Sequence, residues 1–154
     1  MTDIRPEEIA IPVSAPEDAQ LRFVGKIHTP WTNRKDCPRQ GNHDGPDCRI
    51  EVFEPWVQAL VGIERYDRIE ILYWLDQARR DLVVQSPSNG SSTRGTFALR
   101  SPVRPNPIGT SMVTLIAVDG PVLTVRGLDC LDGTPLLDLK PDRCAFSPKP
   151  NSGD

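Results

Sequence analysis

Ser111-Met112-Val113-Thr114-Leu115-Ile116-Ala117-Val118-Asp119-Gly120-Pro121-Val122-Leu123-Thr124-Val125-Arg126 is the stretch that decides the fold. Residues 111–118 and 122–126 are two runs rich in β-branched side chains, which suit a pleated surface. Asp119-Gly120 joins them, and an Asp-Gly pair supplies the positive φ that a tight hairpin turn needs. Pro121 stands at the start of the second run, where a missing ladder N–H is tolerated. The centre of the chain is therefore an antiparallel hairpin.

Working outward, further strands are expected on both sides. Residues 21–28 alternate approximately and end in Thr29-Pro30. Extended structure resumes at Glu51-Val52-Phe53. Residues 68–75 read as a strand buried on both faces over its second half. Residues 81–85, 96–99 and 136–140 add shorter strands, the last after an Asp132-Gly133 turn. Pro55 opens one short helix, with Trp56, Leu60 and Ile63 forming an apolar stripe beside Val57 and Val61. Residues 29–49 are loop, and 86–93 are a polar turn region containing Pro87, Asn89 and Gly90. Seven or eight short strands with one helix make an all-β sandwich or barrel. Residues 1–20 form a polar arm with an apolar patch at 9–13, and 141–154 are proline-rich and polar.

Composition narrows the function. The chain has 154 residues, a size that suits one domain, and a formal charge of −3. That balance excludes a generally basic nucleic-acid coat but not a local basic patch. Sixteen prolines argue against a helical bundle. No apolar run approaches the ~18 residues of a membrane span. The N-terminus carries Asp3, Glu7, Glu8, Glu17 and Asp18 and resembles no signal peptide, so a cytoplasmic location with reduced thiols is expected. Among Cys37, Cys48, Cys130 and Cys144 there is no C-x-x-C pair. Cys37, His43 and Cys48 lie within twelve residues, but their spacing matches no familiar zinc pattern, so no metal is expected.

The phosphate-loop, dinucleotide-binding, serine-hydrolase and zinc-protease motifs are all absent. Three other segments stand out. Arg100-Ser101-Pro102-Val103-Arg104-Pro105-Asn106-Pro107-Ile108-Gly109 is held extended by its prolines, and its arginines are forked donors for a carboxylate or phosphate. Leu128-Asp129-Cys130-Leu131-Asp132-Gly133-Thr134-Pro135 is followed by Asp138 and Lys140; Asp129 and Asp138 each interrupt an apolar run, without the spacing of a calcium loop. Asp36-Cys37-Pro38-Arg39-Gln40-Gly41 is a polar turn.

Together these segments resemble the TrmO, or TsaA-like, family of small β-barrel methyltransferases. The resemblance rests on residues 27–30 (I-x-[ST]-P), Pro38-Arg39-Gln40, Gly95-Thr96-Phe97-Ala98-Leu99-Arg100-Ser101-Pro102, Arg104-Pro105-Asn106-Pro107-Ile108-Gly109, and Asp132-Gly133-Thr134-Pro135 with Asp138-Leu139-Lys140-Pro141. It runs over about residues 21–145, which it makes a TsaA-like barrel domain between the 1–20 arm and a 146–154 tail. The fold it implies is a small closed β-barrel of short, mostly antiparallel strands. The activity it implies is transfer of a methyl group from S-adenosylmethionine to N6 of threonylcarbamoyladenosine, beside the tRNA anticodon, by a homodimer. A barrel that binds S-adenosylmethionine as a sensor, without methyl transfer, is the alternative. A purely structural or interaction module is a third class.

Carried over residue by residue, the resemblance puts cofactor contacts at Pro38, Arg39, Gln40 and Gly41; at Asp76 and Gln77; at Arg100; at Ile108, Gly109 and Thr110; and at Leu128, Asp129 and Leu131. The sequence departs from the family pattern in four ways. The further C-terminal domain of many members is here a short tail. Asp76 replaces a histidine, and Asp142 a tyrosine. The arginine-rich loop before Gly95 keeps only Arg94. Methyl transfer from a sulfonium is an in-line displacement, so the protein supplies alignment and electrostatics. Asp129, Asp138 or Tyr73 can relay the proton of the accepting nitrogen. Lys140 or an arginine can hold the threonyl carboxylate. Arg34, Lys35, Arg94, Arg104 and Asn106 complete the substrate-side candidates.

Overall fold

The structure, a computed structural model, describes residues 3–142 except Pro16, Asn89 and Ser91. The turn position at Asn89 and the 146–154 tail therefore lie outside the described residues. Nine strands occur among those described: β1 Ile9–Ala10, β2 Gly25–His28, β3 Cys48–Val52, β4 Arg68–Trp74, β5 Leu82–Gln85, β6 Arg94–Gly95, β7 Ile108–Asp119, β8 Val122–Arg126 and β9 Pro135–Pro141. The chain divides into two compact units. Leu21–Trp74 and the described residues from Gly109 onward form one; the described residues up to Gln20, with Leu75–Ile108, form the other.

The first unit is a closed barrel in the order β2-β3-β8-β7-β4-β9. Its inner face follows the two-residue period of the strands: Ile27, then Cys48, Ile50 and Val52, then Ile69, Ile71 and Tyr73, with Val113, Leu123, Val125 and Leu136 all buried. The hairpin read from the sequence is present, with Asp119 opposite Val122 and Gly120 at φ +55. Pairing of β2 with β9 closes the barrel and removes a free edge. The β4–β9 ladder slips between Leu72 and Tyr73, where Leu72 faces Asp138 but Tyr73 faces Leu136. Such a bulge re-aims the side chains beside it. The short helix expected after Pro55 is present in 3-10 form, as Val57–Leu60 and Ile63–Arg65. Gly62 between them adopts φ +89, which does not continue a helix.

The second unit is a three-stranded sheet in the order β1-β5-β6. The N-terminal arm docks here. Ile9 pairs with Val84, Arg5 Nη1 donates to the Ser86 carbonyl at 2.7 Å, and the Ser86 amide donates to Glu8 Oε1 at 3.0 Å. Residues 96–99, expected as a strand, are not one: Thr96–Ala98 is a 3-10 turn. The buried Thr96 hydroxyl donates to the Leu82 carbonyl at 2.6 Å and accepts from Gln85 Nε2 at 2.9 Å. Those bonds replace the ladder a strand would have made. No helix among the described residues is long and apolar enough to cross a membrane.

Candidate functional site

Segments distant in sequence meet in the barrel unit. The backbones of Gly41 and Gly127 lie so close that a Cβ on Gly41 would collide with the Gly127 carbonyl oxygen. Gly127 has φ +114, a conformation that other residues rarely adopt. The turn holding Pro38, Arg39, Gln40 and Gly41 is thereby set against the strand exit holding Leu128, Asp129 and Leu131. Burial pushes the Cys37 thiol upward, and the negative charge of nearby Asp129 pushes it further. His43 fixes the far side of the same loop. Its Nε2 accepts from Arg68 Nη2 at 3.1 Å, so Nδ1 carries the proton and donates to Thr114 Oγ1 at 2.8 Å. Cys48 is buried, and its thiol is pushed up to about 11 mainly by desolvation. No group of metal-ligating side chains occurs among the described residues.

Tyr73 links two of the singled-out blocks, at Gly109 and Asp129, with Ser111 of the central hairpin. It is 3% exposed, its hydroxyl donates to Asp129 Oδ1 at 2.9 Å, and it pairs with Ser111 Oγ at 2.8 Å. An ionised carboxylate only accepts, so the chain of donors runs from Ser111 through Tyr73 to Asp129. Burial first, and the Asp129 charge second, push the phenol far above its ordinary range. Tyr73 therefore stays protonated and acts as a fixed donor. The second oxygen of the half-buried Asp129 carboxylate has no hydrogen bond among the described residues. Gly109 touches the Tyr73 ring directly, and the following Thr110 donates to Glu70 Oε1 at 2.9 Å.

The other catalytic candidates lie elsewhere on the barrel. Asp138 and Lys140 occupy exposed positions of β9, opposite Leu72 and Glu70. Asp138 Oδ1 accepts from its neighbour's amide, Leu139 N, at 2.9 Å. The Thr29-Pro30 and Asp132-Gly133-Thr134-Pro135 blocks are tied together. Thr29 N donates to Asp132 Oδ1 at 3.1 Å, Thr29 Oγ1 to the Cys130 carbonyl at 2.8 Å, and Asp132 N to the Trp31 carbonyl at 2.8 Å. These two motifs are one structural clasp. Arg34, Lys35, Arg39 and Gln40 are exposed on the 29–47 loop. Between that loop and the strand exit lies a cleft of about 220 Å³, lined by Trp31, Pro38, Asn42, Gly45, Pro46, Gly127 and Leu128. It is smaller than the ~300–1,000 Å³ of a pocket that encloses a drug-sized ligand.

The second unit holds Asp76, Gln77, Arg94, Arg100, Arg104, Asn106 and Ile108. Leu75 N donates to the Pro107 carbonyl at 2.8 Å, which sets Asp76 and Gln77 beside the end of the proline block. Arg80 Nε donates to the Pro105 carbonyl at 2.6 Å and Nη2 to Asn106 Oδ1 at 3.3 Å. Arg104 Nη1 donates to the Leu99 carbonyl at 2.6 Å and to the Ser101 carbonyl at 3.3 Å, stapling the segment. Arg94 and Arg100 are exposed.

Sequence reasoning missed Trp31, Gly127, Ser111 and Phe97. Gly127 had one available signal, as a lone glycine between a β-branched strand and Leu128-Asp129, which marks a close backbone approach. Ser111 had none, because its partner is 38 residues away.

Comparison with known proteins follows the same outline. The profile of the tRNA-methyltransferase O N-terminal domain matches residues 26–145. A Rhizobium radiobacter protein named "Probable S-adenosyl-L-methionine-binding protein VirR" is 55% identical over 147 residues, covering 96% of this chain and 84% of that one. The Escherichia coli tRNA (adenine(37)-N6)-methyltransferase is 35% identical over 133 residues, covering 79% of this chain and 57% of the enzyme. A crystal structure of TrmO from Pseudomonas aeruginosa superposes with a TM-score of 0.67 at 29% identity, covering 90% of this chain and 64% of that one. The chain thus spans about three-fifths of these two longer proteins.

Proposed function

The chain belongs to the tRNA-methyltransferase O N-terminal-domain family, and on that footing we propose that it is an S-adenosylmethionine-dependent tRNA methyltransferase acting on N6 of threonylcarbamoyladenosine beside the anticodon. The observation that carries the reading is the meeting of the 38–41 turn with the 127–131 strand exit, locked glycine against glycine, around one oriented carboxylate, Asp129. The residues fit the cofactor. A carboxylate with a free oxygen suits a cationic ligand, and the apolar cleft beside it suits a flat ring.

When bound, S-adenosylmethionine supplies an electrophilic methyl group for in-line displacement. The chain's own residues do the rest. In this reading Asp129, held by Tyr73, takes the proton that the accepting nitrogen gives up as its new N–C bond forms and the methyl–sulfur bond breaks. Residues 38–41 and 127–131 fix the ligand's orientation, and correct alignment supplies much of such a rate gain. Arg100 is a forked donor for a carboxylate, and Arg34, Lys35 and Arg39 are exposed for RNA phosphates. The reading includes a homodimer in the cytoplasm.

Calorimetry with S-adenosylmethionine, followed by transfer of labelled methyl to bulk tRNA, tests the proposal. Binding with transfer supports it. The name of the VirR relative gives only binding of S-adenosyl-L-methionine, which a second reading, a sensor barrel, also accommodates; binding without transfer to any tRNA supports that one instead.

A further inference from the structure

Phe97 is 82% exposed, although a large apolar ring gains by burial. It sits on the 3-10 turn Thr96–Ala98, whose base is held by side-chain hydrogen bonds. Thr96 is anchored to Leu82 and Gln85, Gln85 Nε2 also donates to the Val103 carbonyl at 2.9 Å, and Arg104 Nη1 staples Leu99. The Arg104 guanidinium carbon lies 6.0 Å from the Phe97 ring centroid, at the outer limit of a cation–π contact. The fold therefore anchors the turn that presents this ring to solvent.

The segment that carries it is one-sided in charge. Residues 82–118 contain Arg94, Arg100 and Arg104 and no Asp or Glu. The rest of the chain then has 18 − 3 = 15 basic residues against 21 acidic ones, a net −6. We propose that the Thr96–Ala98 turn is a stacking platform for an unpaired base of single-stranded RNA, with Phe97 as the stacking ring and the exposed Arg94 as a phosphate contact. This rests on the tRNA reading above and names where the RNA is held. Single-stranded nucleic acid is bound in this manner, by aromatic faces under bases and cations along the backbone. A second copy of the chain fits the patch less well. A two-fold contact sets the same surface against itself, which would bring arginines toward arginines.

The test is fluorescence anisotropy at low salt with the full chain, using a labelled 12-nucleotide oligoadenylate and an abasic oligomer with the same number of phosphates. The intact chain binds the oligoadenylate more tightly. Phe97→Ala weakens that binding by roughly five- to a hundred-fold, the range of a lost base stack, and removes the preference over the abasic oligomer. Phe97→Trp restores it, while calorimetric affinity for S-adenosylmethionine is unchanged in both variants. Equal binding of the two oligomers by the intact chain, or an unchanged affinity in Phe97→Ala, overturns the proposal. So does a dimer that Phe97→Ala splits into monomers in light scattering, which would make the turn a contact between copies. The preference persisting in a chain that transfers no methyl group supports the platform and counts against the enzyme reading alone.

Discussion

A Cβ on Gly109 would fall 2.8 Å from Cδ2 of Tyr73 and closer still to Cε2, so the glycine that ends the Arg-Pro-Asn-Pro-Ile-Gly block is there to admit a tyrosine ring. The consequence reaches Asp129. The ring that Gly109 admits carries the hydroxyl that orients this carboxylate. Gly109→Ala is expected to overpack the site and cost about 1–3 kcal/mol, read as a lower urea midpoint. An unchanged midpoint together with unchanged cofactor affinity would remove Gly109 from the account.

Tyr73→Phe keeps the ring and deletes the donor. Among the described residues Asp129 loses its one side-chain hydrogen bond, and Ser111 loses its partner in the barrel interior. Stability is expected to fall by about 1–2 kcal/mol. Methyl-transfer kcat should fall more than cofactor affinity, because the carboxylate is retained but no longer aimed. A fall in affinity with kcat intact would make Tyr73 part of cofactor binding instead.

Arg100→Ala tests the second unit. Arg100 is exposed, so its loss should leave the urea midpoint within ~0.5 kcal/mol while weakening S-adenosylmethionine binding. Unchanged calorimetric affinity would move the cofactor site away from this residue.

Alkaline pH tests the barrel interior. Burial pushes the Cys130 thiol up to about 12 from 9.0, and Cys48 up to about 11. Both groups are neutral when folded and ionise more readily once unfolded. Their stabilisation is complete below about pH 9 and is lost as pH rises toward 12. Urea midpoints should therefore fall across that window, and Cys130→Ala should make the fall shallower. A flat profile would contradict the burial of both thiols.

Light scattering at micromolar concentration tests the proposed dimer, the commonest closed assembly for a chain of this kind. An active monomer would contradict it.

The barrel was legible because its strands alternate inward and outward. Residues 68–75 read from composition as buried on both faces over their second half, but β4 buries Ile69, Ile71 and Tyr73 on one face and leaves Leu72 and Trp74 half-buried. The 3-10 turn at Thr96–Ala98 was not legible, because Thr96-Phe97-Ala98-Leu99 has strand composition. Only the long-range bond from Thr96 to Leu82 decides the matter. Asp129 was visible as an acid inside an apolar run. Its partners Tyr73 and Ser111 lie 56 and 38 residues from the groups they bond, which no local pattern encodes. Asp138 carried the same sequence signal as Asp129, yet it lies exposed at a bulged β9 position. Asp129 instead lies in the connection between β8 and β9, where it meets Tyr73.

The substrate assignment is tested most directly with one anticodon-bearing tRNA prepared with and without threonylcarbamoyladenosine, each incubated with the chain and labelled S-adenosylmethionine. The net charge of −3 gives little non-specific attraction to phosphates, so the account assigns the choice of substrate to the modified base. The account predicts label in the modified tRNA and none in the unmodified transcript. Equal labelling of both, or of neither while calorimetry shows the cofactor bound, would contradict it.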